Sequence, residues 1–195
     1  MKKVNKDTFS NGNEYMRFEE AKQSWRNNMR KDFYIGIDPD SVKSGVAMVE
    51  RATRQVEATT MTFADCVHFF RKIKRQMDGE GKTVVVVVEA GWLNESNWHL
   101  MAKDSKPMAA AKGRALGRCE QTGRLLLEMA ERVGLECVAR KPLRKCWQGK
   151  DRKITHEEIS SFTGIAKRTN QEARDALLLA WVEANLPIRI KNEKK

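Results

Sequence analysis

Five consecutive valines, Val84 to Val88, closed by Glu89, constrain this chain more than any other stretch. A strand with one face in water alternates apolar and polar residues. An unbroken run of β-branched residues is instead a central strand covered on both faces. Helices must then lie on either side of the sheet that contains it. A carboxylate at the end of such a strand is poor material for stability, because an unpaired buried charge costs several kcal/mol. It fits a strand that delivers an acid to a site at the sheet edge, where sites collect in open α/β sheets.

A second stretch repeats the pattern. Phe33-Tyr-Ile-Gly-Ile-Asp38 is a short apolar run ending in an acid, followed by a polar turn (Pro39, Asp40, Ser41, Gly45) and an apolar return from Val46 to Val49. This predicts a strand, a tight turn and an antiparallel strand. Alone, Asp38 reads equally well as a turn residue capping its own backbone. Two apolar strands that each close on an acid make a sharper signal.

The remaining elements follow in order. Gln55–Thr62 is rich in Val and Thr and completes an antiparallel meander. Val67, Phe70, Ile73 and Met77 recur at helical spacing over Phe63–Met77, ended by Gly79 and Gly81. Ala90–Ala111 has no clear period and carries Trp92, Trp98 and His99. Those tryptophans suit stacking on bases or a cover folded back over the core. Lys112–Val133 is a long helix with Leu116, Cys119, Gly123, Leu126, Ala130 and Val133 on one face. Arg114 and Arg118 stand beside that stripe, and Gly113 and Gly117 leave room for another backbone. Leu135–Ala139 is a fifth strand. Thr155–Phe162 is a short helix opened by the capping pattern Thr155-His-Glu-Glu158. The last helix, from Asn170 to Val182, places Glu172 and Asp175 three residues apart on one face near its N-terminus. As first-turn acids they also complement the helix dipole. The expected fold is therefore α/β, a five-stranded mixed sheet in the order β-β-β-α-β-α-β-α flanked by helices.

Tyr15, Phe18, Trp25 and Met29 space out as an amphipathic helix within an N-terminal extension over 1–32. The folded domain is expected over 33–186, with a charged tail over 187–195. No apolar segment of the signal-peptide or membrane-spanning kind occurs, so no membrane partner is expected. Cys66, Cys119, Cys137 and Cys146 form no zinc-type pair. Together these features predict a cytoplasmic protein in a reducing compartment.

The formal net charge of +11 points to a polyanionic partner, nucleic acid first. The charge is uneven: Lys103 to Lys153 carries 14 Lys/Arg against 6 Asp/Glu, which is +8 of the +11. Within it Lys141, Arg144, Lys145, Lys150 and Lys153 surround Trp147 in a basic loop suited to phosphate contacts. If the strands ending in Asp38 and Glu89 are neighbours, the two acids meet, and the last helix can bring Glu172 and Asp175 over them. So many carboxylates in one place repel unless cations neutralise them. Oxygen ligands suit Mg2+ or Mn2+, and two such ions about 4 Å apart support phosphodiester cleavage. The residues thus point to a metal-dependent nuclease.

Four stretches together resemble the RuvC-type Holliday junction resolvases of the RNase H-like superfamily: Ile35-Gly-Ile-Asp-Pro-Asp with Ser44-Gly-Val-Ala, Val84 to Glu89, Gly113-Arg-Ala-Leu-Gly-Arg118, and Glu172-Ala-Arg-Asp-Ala-Leu177. The resemblance covers about 33–182. It implies an RNase H-like fold and a homodimer that cuts opposed strands of a branched, four-way DNA junction with two Mg2+ ions and no nucleotide cofactor. By that match Asp38, Glu89, Glu172 and Asp175 are the catalytic, metal-binding acids. Pro142 to Lys145 and Lys153 are implied to contact phosphate, and Trp92 or Trp98 to open the junction. Glu172 stands where members more often carry Asp or His. The same acids would serve an RNase H-like nuclease acting on RNA or on an RNA/DNA hybrid. A non-catalytic nucleic-acid-binding protein is a further alternative, and the intact acid set argues against it; an actin-like ATPase, which begins with a similar Gly-x-Asp strand, is another, and the absence of a second phosphate-binding turn argues against that.

Overall fold

The computed structural model describes residues 30–94 and 104–189. The chain divides into two units, Met1–Arg30 and Lys31–Lys195. Apart from Arg30 the first lies outside the described residues, and so does the helix expected before Met29. The second unit carries β1 (Phe33–Asp38), β2 (Ser44–Glu50), β3 (Val56–Met61), α1 (Phe63–Glu80), β4 (Val84–Glu89), α2 (Lys106–Arg132), β5 (Glu136–Arg140), α3 (His156–Thr163) and α4 (Gln171–Glu183). The five strands form one sheet in the order β3-β2-β1-β4-β5. The β1–β2 and β2–β3 pairs are antiparallel, and β1–β4 and β4–β5 are parallel. This is the mixed five-stranded α/β sheet expected from the sequence.

Both faces of the sheet are covered, which explains the valine run. Val84, Val86 and Val88 join Phe33, Ile35 and Ile37 in a core with Cys66, Phe70, Ile73 and Met77 of α1 and Leu126 and Ala130 of α2. Val85 and Val87 turn the other way, with Tyr34, into a core built on Leu177, Leu179 and Trp181 of α4 and Ile154 and Ile159 around α3. Successive residues of a strand point to opposite faces, and here each face has its own apolar partner.

Two element boundaries differ from the expected ones. Helix α2 begins at Lys106, six residues earlier than the apolar stripe predicts. Ser105 caps it by accepting a hydrogen bond from the Met108 N–H, and a proline sits in its first turn. Its opening turns are mostly exposed, so they have no core face to write an apolar period into the sequence. Helix α1 runs through Gly79 and stops at Gly81, whose φ of 63° is the left-handed conformation glycine adopts at low cost. Among the described residues no helix is long and apolar enough to cross a membrane.

Candidate carboxylate site and basic loop

Register places the first two acids. The parallel β1–β4 pairing ends at Ile37 opposite Val88, so Asp38 and Glu89 emerge side by side one step beyond. They continue the alternation of Tyr34 and of Val85 and Val87, so they point to the α4 face of the sheet. Neither is buried as deeply as the strand residues before it.

Helix α4 is brought down onto that face by two glycines. A Cβ on Gly36 would stand 2.1 Å from the Ala176 carbonyl oxygen, and one on Gly45 2.0 Å from that of Glu172. Gly45 is the β2 partner of Asp38, so the helix end that carries Glu172 and Asp175 lies against the pair that contains Asp38. Asn170 caps this end, accepting from the Ala173 N–H at 3.1 Å.

The acids act on one another electrostatically. Burial, then the charges of Glu89 and Asp175, with a smaller part from Glu172, hold the Asp38 carboxyl well above the usual carboxylate range, against the pull of Lys153. Burial first and then Asp175 push Glu89 up to about 7, opposed by Lys153 and Lys145. Like charges and desolvation both favour the protonated form. Asp175 has both oxygens engaged: Oδ1 accepts from Gln171 Nε2 at 2.7 Å and Oδ2 from Lys153 Nζ at 2.9 Å.

The basic loop reaches the acids because it is anchored at several points. Trp147 stacks on Phe162, with ring centroids 6.2 Å apart, and Phe162 packs on the buried Trp181. The buried Glu158 accepts hydrogen bonds from the Gln148 and Thr155 N–H groups, so the carboxylate that closes the α3 capping box also holds the loop. Asp151 and Arg152 take left-handed backbone, with φ of 54° and 58°, and turn the chain so that Lys153 faces the acids ahead of the buried Ile154. Lys141, Arg144, Lys145 and Lys150 are exposed. Arg140, at the start of the loop, is tied bidentately to Glu183.

Arg114 and Arg118 are exposed on the opening half of α2. Trp92 lies in a single 3-10 turn, Gly91–Leu93, directly after Glu89 and Ala90. Its partly buried ring lies against Gly123 and Pro39, where a Cβ on Gly123 would come within 2.7 Å of the indole and 2.9 Å of the proline. Arg124 covers the ring at 4.7 Å, so as it stands Trp92 covers the core. Trp98 and His99 lie outside the described residues.

The sequence reading passes over Gln171 and Gly36, and takes Gly45 as a turn residue where the structure has it in β2. Gln171 stands four residues before Asp175 in the first turns of α4, the spacing at which helix side chains meet, so that signal was present. Gly36 and Gly45 carried no such signal, because only the docked helix shows what a side chain there would strike.

The donor set consists of carboxylate oxygens, which suit a hard divalent cation, and their mutual repulsion is the electrostatic condition such an ion relieves. Among the described residues, however, no group of three or more His, Cys, Asp or Glu side chains is set to hold a metal ion as the chain stands. The donor chemistry fits; the Lys153 ammonium is bonded to one of the acids, Asp175.

No family model matches the chain, and no curated protein matches it. Among solved structures the chain is similar to T. thermophilus RuvC in complex with Holliday junction substrate. The identity is 18%, over 78% of this chain and 92% of that one, with a TM-score of 0.43.

Proposed function

We propose that this protein is a metal-dependent endonuclease acting on branched DNA. The observation that carries the reading is the convergence of Asp38, Glu89 and Asp175, with Glu172 beside them, at the ends of the interior strands β1 and β4 and beside a basic loop. Supporting it are the four ordered stretches that resemble those of the RuvC-type resolvases and the clustering of positive charge between Lys103 and Lys153.

In this reading Asp38, Glu89 and Asp175, with Glu172 as the fourth acid, would hold Mg2+ or Mn2+, two ions by the family's pattern. When bound, a divalent cation acidifies a water nucleophile and offsets charge on the leaving oxygen. The chain's own residues supply the rest. Strands β1 and β4 fix Asp38 and Glu89 at one register, α4 carries the other two acids, and Lys145 and Lys150 contact the flanking phosphates. Arg114 and Arg118 extend the contact along α2. The resemblance further implies two copies acting together, one on each of two opposed strands.

The test is cleavage of a labelled four-way DNA junction in Mg2+, beside linear duplex, single strand and RNA/DNA hybrid, with Asp38→Asn as control. Paired, symmetric nicks in the junction alone, lost in the variant, are expected. Cutting of the hybrid instead would move the protein to another nuclease of this fold. Binding without cutting of any substrate would make it a binding module.

A further inference from the structure

Lys153 is bonded to one of the acids that would hold a metal in a nuclease of the proposed kind. Its ammonium lies 2.9 Å from Asp175 Oδ2, and its charge is felt by both Asp38 and Glu89. It is not a loose surface lysine that has wandered in. Its backbone is fixed by the Gly149 N–H bonding to its carbonyl at 3.0 Å, by its own N–H bonding to the Lys150 carbonyl, and by Ile154, which sits in the core one residue later. The side chain is about one-third exposed and that of Asp175 less than one-fifth, so the pair is partly withdrawn from water, where an ion pair is screened less than on the surface. Burial alone would lower the Lys153 pKa, but the bond to Asp175 and the charges of Asp175, Asp38 and Glu172 hold it above its ordinary value.

We propose that Lys153 is a built-in counter-cation of the carboxylate site, which stands in for the divalent ion in the metal-free protein and must release Asp175 before that ion can be fully held. The inference rests on the metal-binding reading above. Acids gathered in one place are offset either by protonation or by positive charge, and the ionised ones need the latter before any metal is bound. The fixed lysine supplies it while the protein folds and waits. The other oxygen of Asp175 accepts from Gln171, so each oxygen already has a partner while Lys153 stays. Loading the metal then expels the ammonium toward the open side of the basic loop, where Lys145 and Lys150 are exposed. There it becomes available to a phosphate, so metal loading and the full set of phosphate contacts are coupled.

Two measurements without DNA test this. In the first, Mn2+ is titrated calorimetrically into the wild type and into Lys153→Met, and the thermal unfolding of each is recorded with and without the ion. The variant should bind Mn2+ about tenfold more tightly or better, because a competing cation is gone. Its metal-free form should melt lower, and saturating Mn2+ should close most of that gap. Equal or weaker binding by a folded variant, while the wild type binds normally, would overturn the role of Lys153 and leave the metal site standing. No binding by either protein would remove the metal site and the inference with it. The second measurement needs no variant. Acylation of Lys153 in the wild type is followed by mass spectrometry, with Lys145 and Lys150 as references. Saturating Mg2+ should raise labelling of Lys153 severalfold relative to the references; unchanged relative labelling would overturn the proposal.

Discussion

Gly45 lies directly beneath the Glu172 carbonyl, so close that a Cβ would stand 2.0 Å from its oxygen. Gly36 makes the same approach to Ala176, one turn further along α4. These two contacts are backbone against backbone, and neither side can yield by rotating a side chain. They set the height of α4 over β1 and β2, and with it the position of Glu172 and Asp175 over Asp38.

Gly36→Ala should therefore be severely destabilising for so small a change. Overpacking typically costs 1–3 kcal/mol, and a methyl driven against a rigid carbonyl belongs at the upper end, roughly 3 kcal/mol. Denaturant unfolding checks this. Gly113→Ala is the control: a Cβ there meets nothing within 4 Å, and it should leave stability unchanged or slightly improved, since alanine is the better helix former.

Stability of the metal-free protein should fall as pH rises. Glu89 in the folded chain is raised from the ordinary 4.5 to about 7, so the folded state binds more protons than the unfolded one across that window. Its contribution is fully present below about pH 4.5 and is lost as pH climbs through about 7. Chemical denaturation in chelator at pH 5, 6, 7 and 8 should show the decline, and Glu89→Gln should flatten it. An unaltered slope in the variant would assign the pH dependence to other groups.

Lys145 is exposed on the basic loop, yet its charge reaches Glu89. Lys145→Ala should weaken DNA binding and make the plot of log affinity against log salt shallower by about 0.9, the loss of one phosphate contact on duplex DNA. Fluorescence anisotropy over a range of salt gives the slope, and the same slope in both proteins would count against that contact.

Glu158 links the start of α3 to the basic loop through the N–H groups of Thr155 and Gln148. Glu158→Ala leaves both donors without this acceptor and should cost about 1–3 kcal/mol in stability. It should also weaken DNA binding although Glu158 carries no positive charge. Glu158→Gln retains an acceptor oxygen and should recover much of both. A binding loss equal in the two variants would mean that charge, not the hydrogen bonds, is what the loop requires.

Much of this protein is written locally. The valine run, the Thr155–Glu158 capping box and the apolar face of α2 from Leu116 to Val133 each encode their element in a few neighbouring residues, because strand pleat and helix pitch repeat over short distances. The opening turns of α2 were illegible for the converse reason: they are mostly exposed and need no apolar period. Asp38 and Glu89 also stood out in the sequence, as acids ending apolar strands.

Local residue patterns specify the set of elements and the chemical kind of each candidate residue: carboxylates at strand ends, an acid pair on the last helix, lysines and arginines gathered in one segment. Which of them meet depends on how the elements pack. The parallel register of β1 and β4 put Asp38 beside Glu89, two glycines seated the last helix over them, and a loop anchored by Trp147 and Glu158 delivered Lys153 to Asp175. Those contacts join residues up to about 140 positions apart. They depend on how whole elements dock, and no local pattern of residues encodes that.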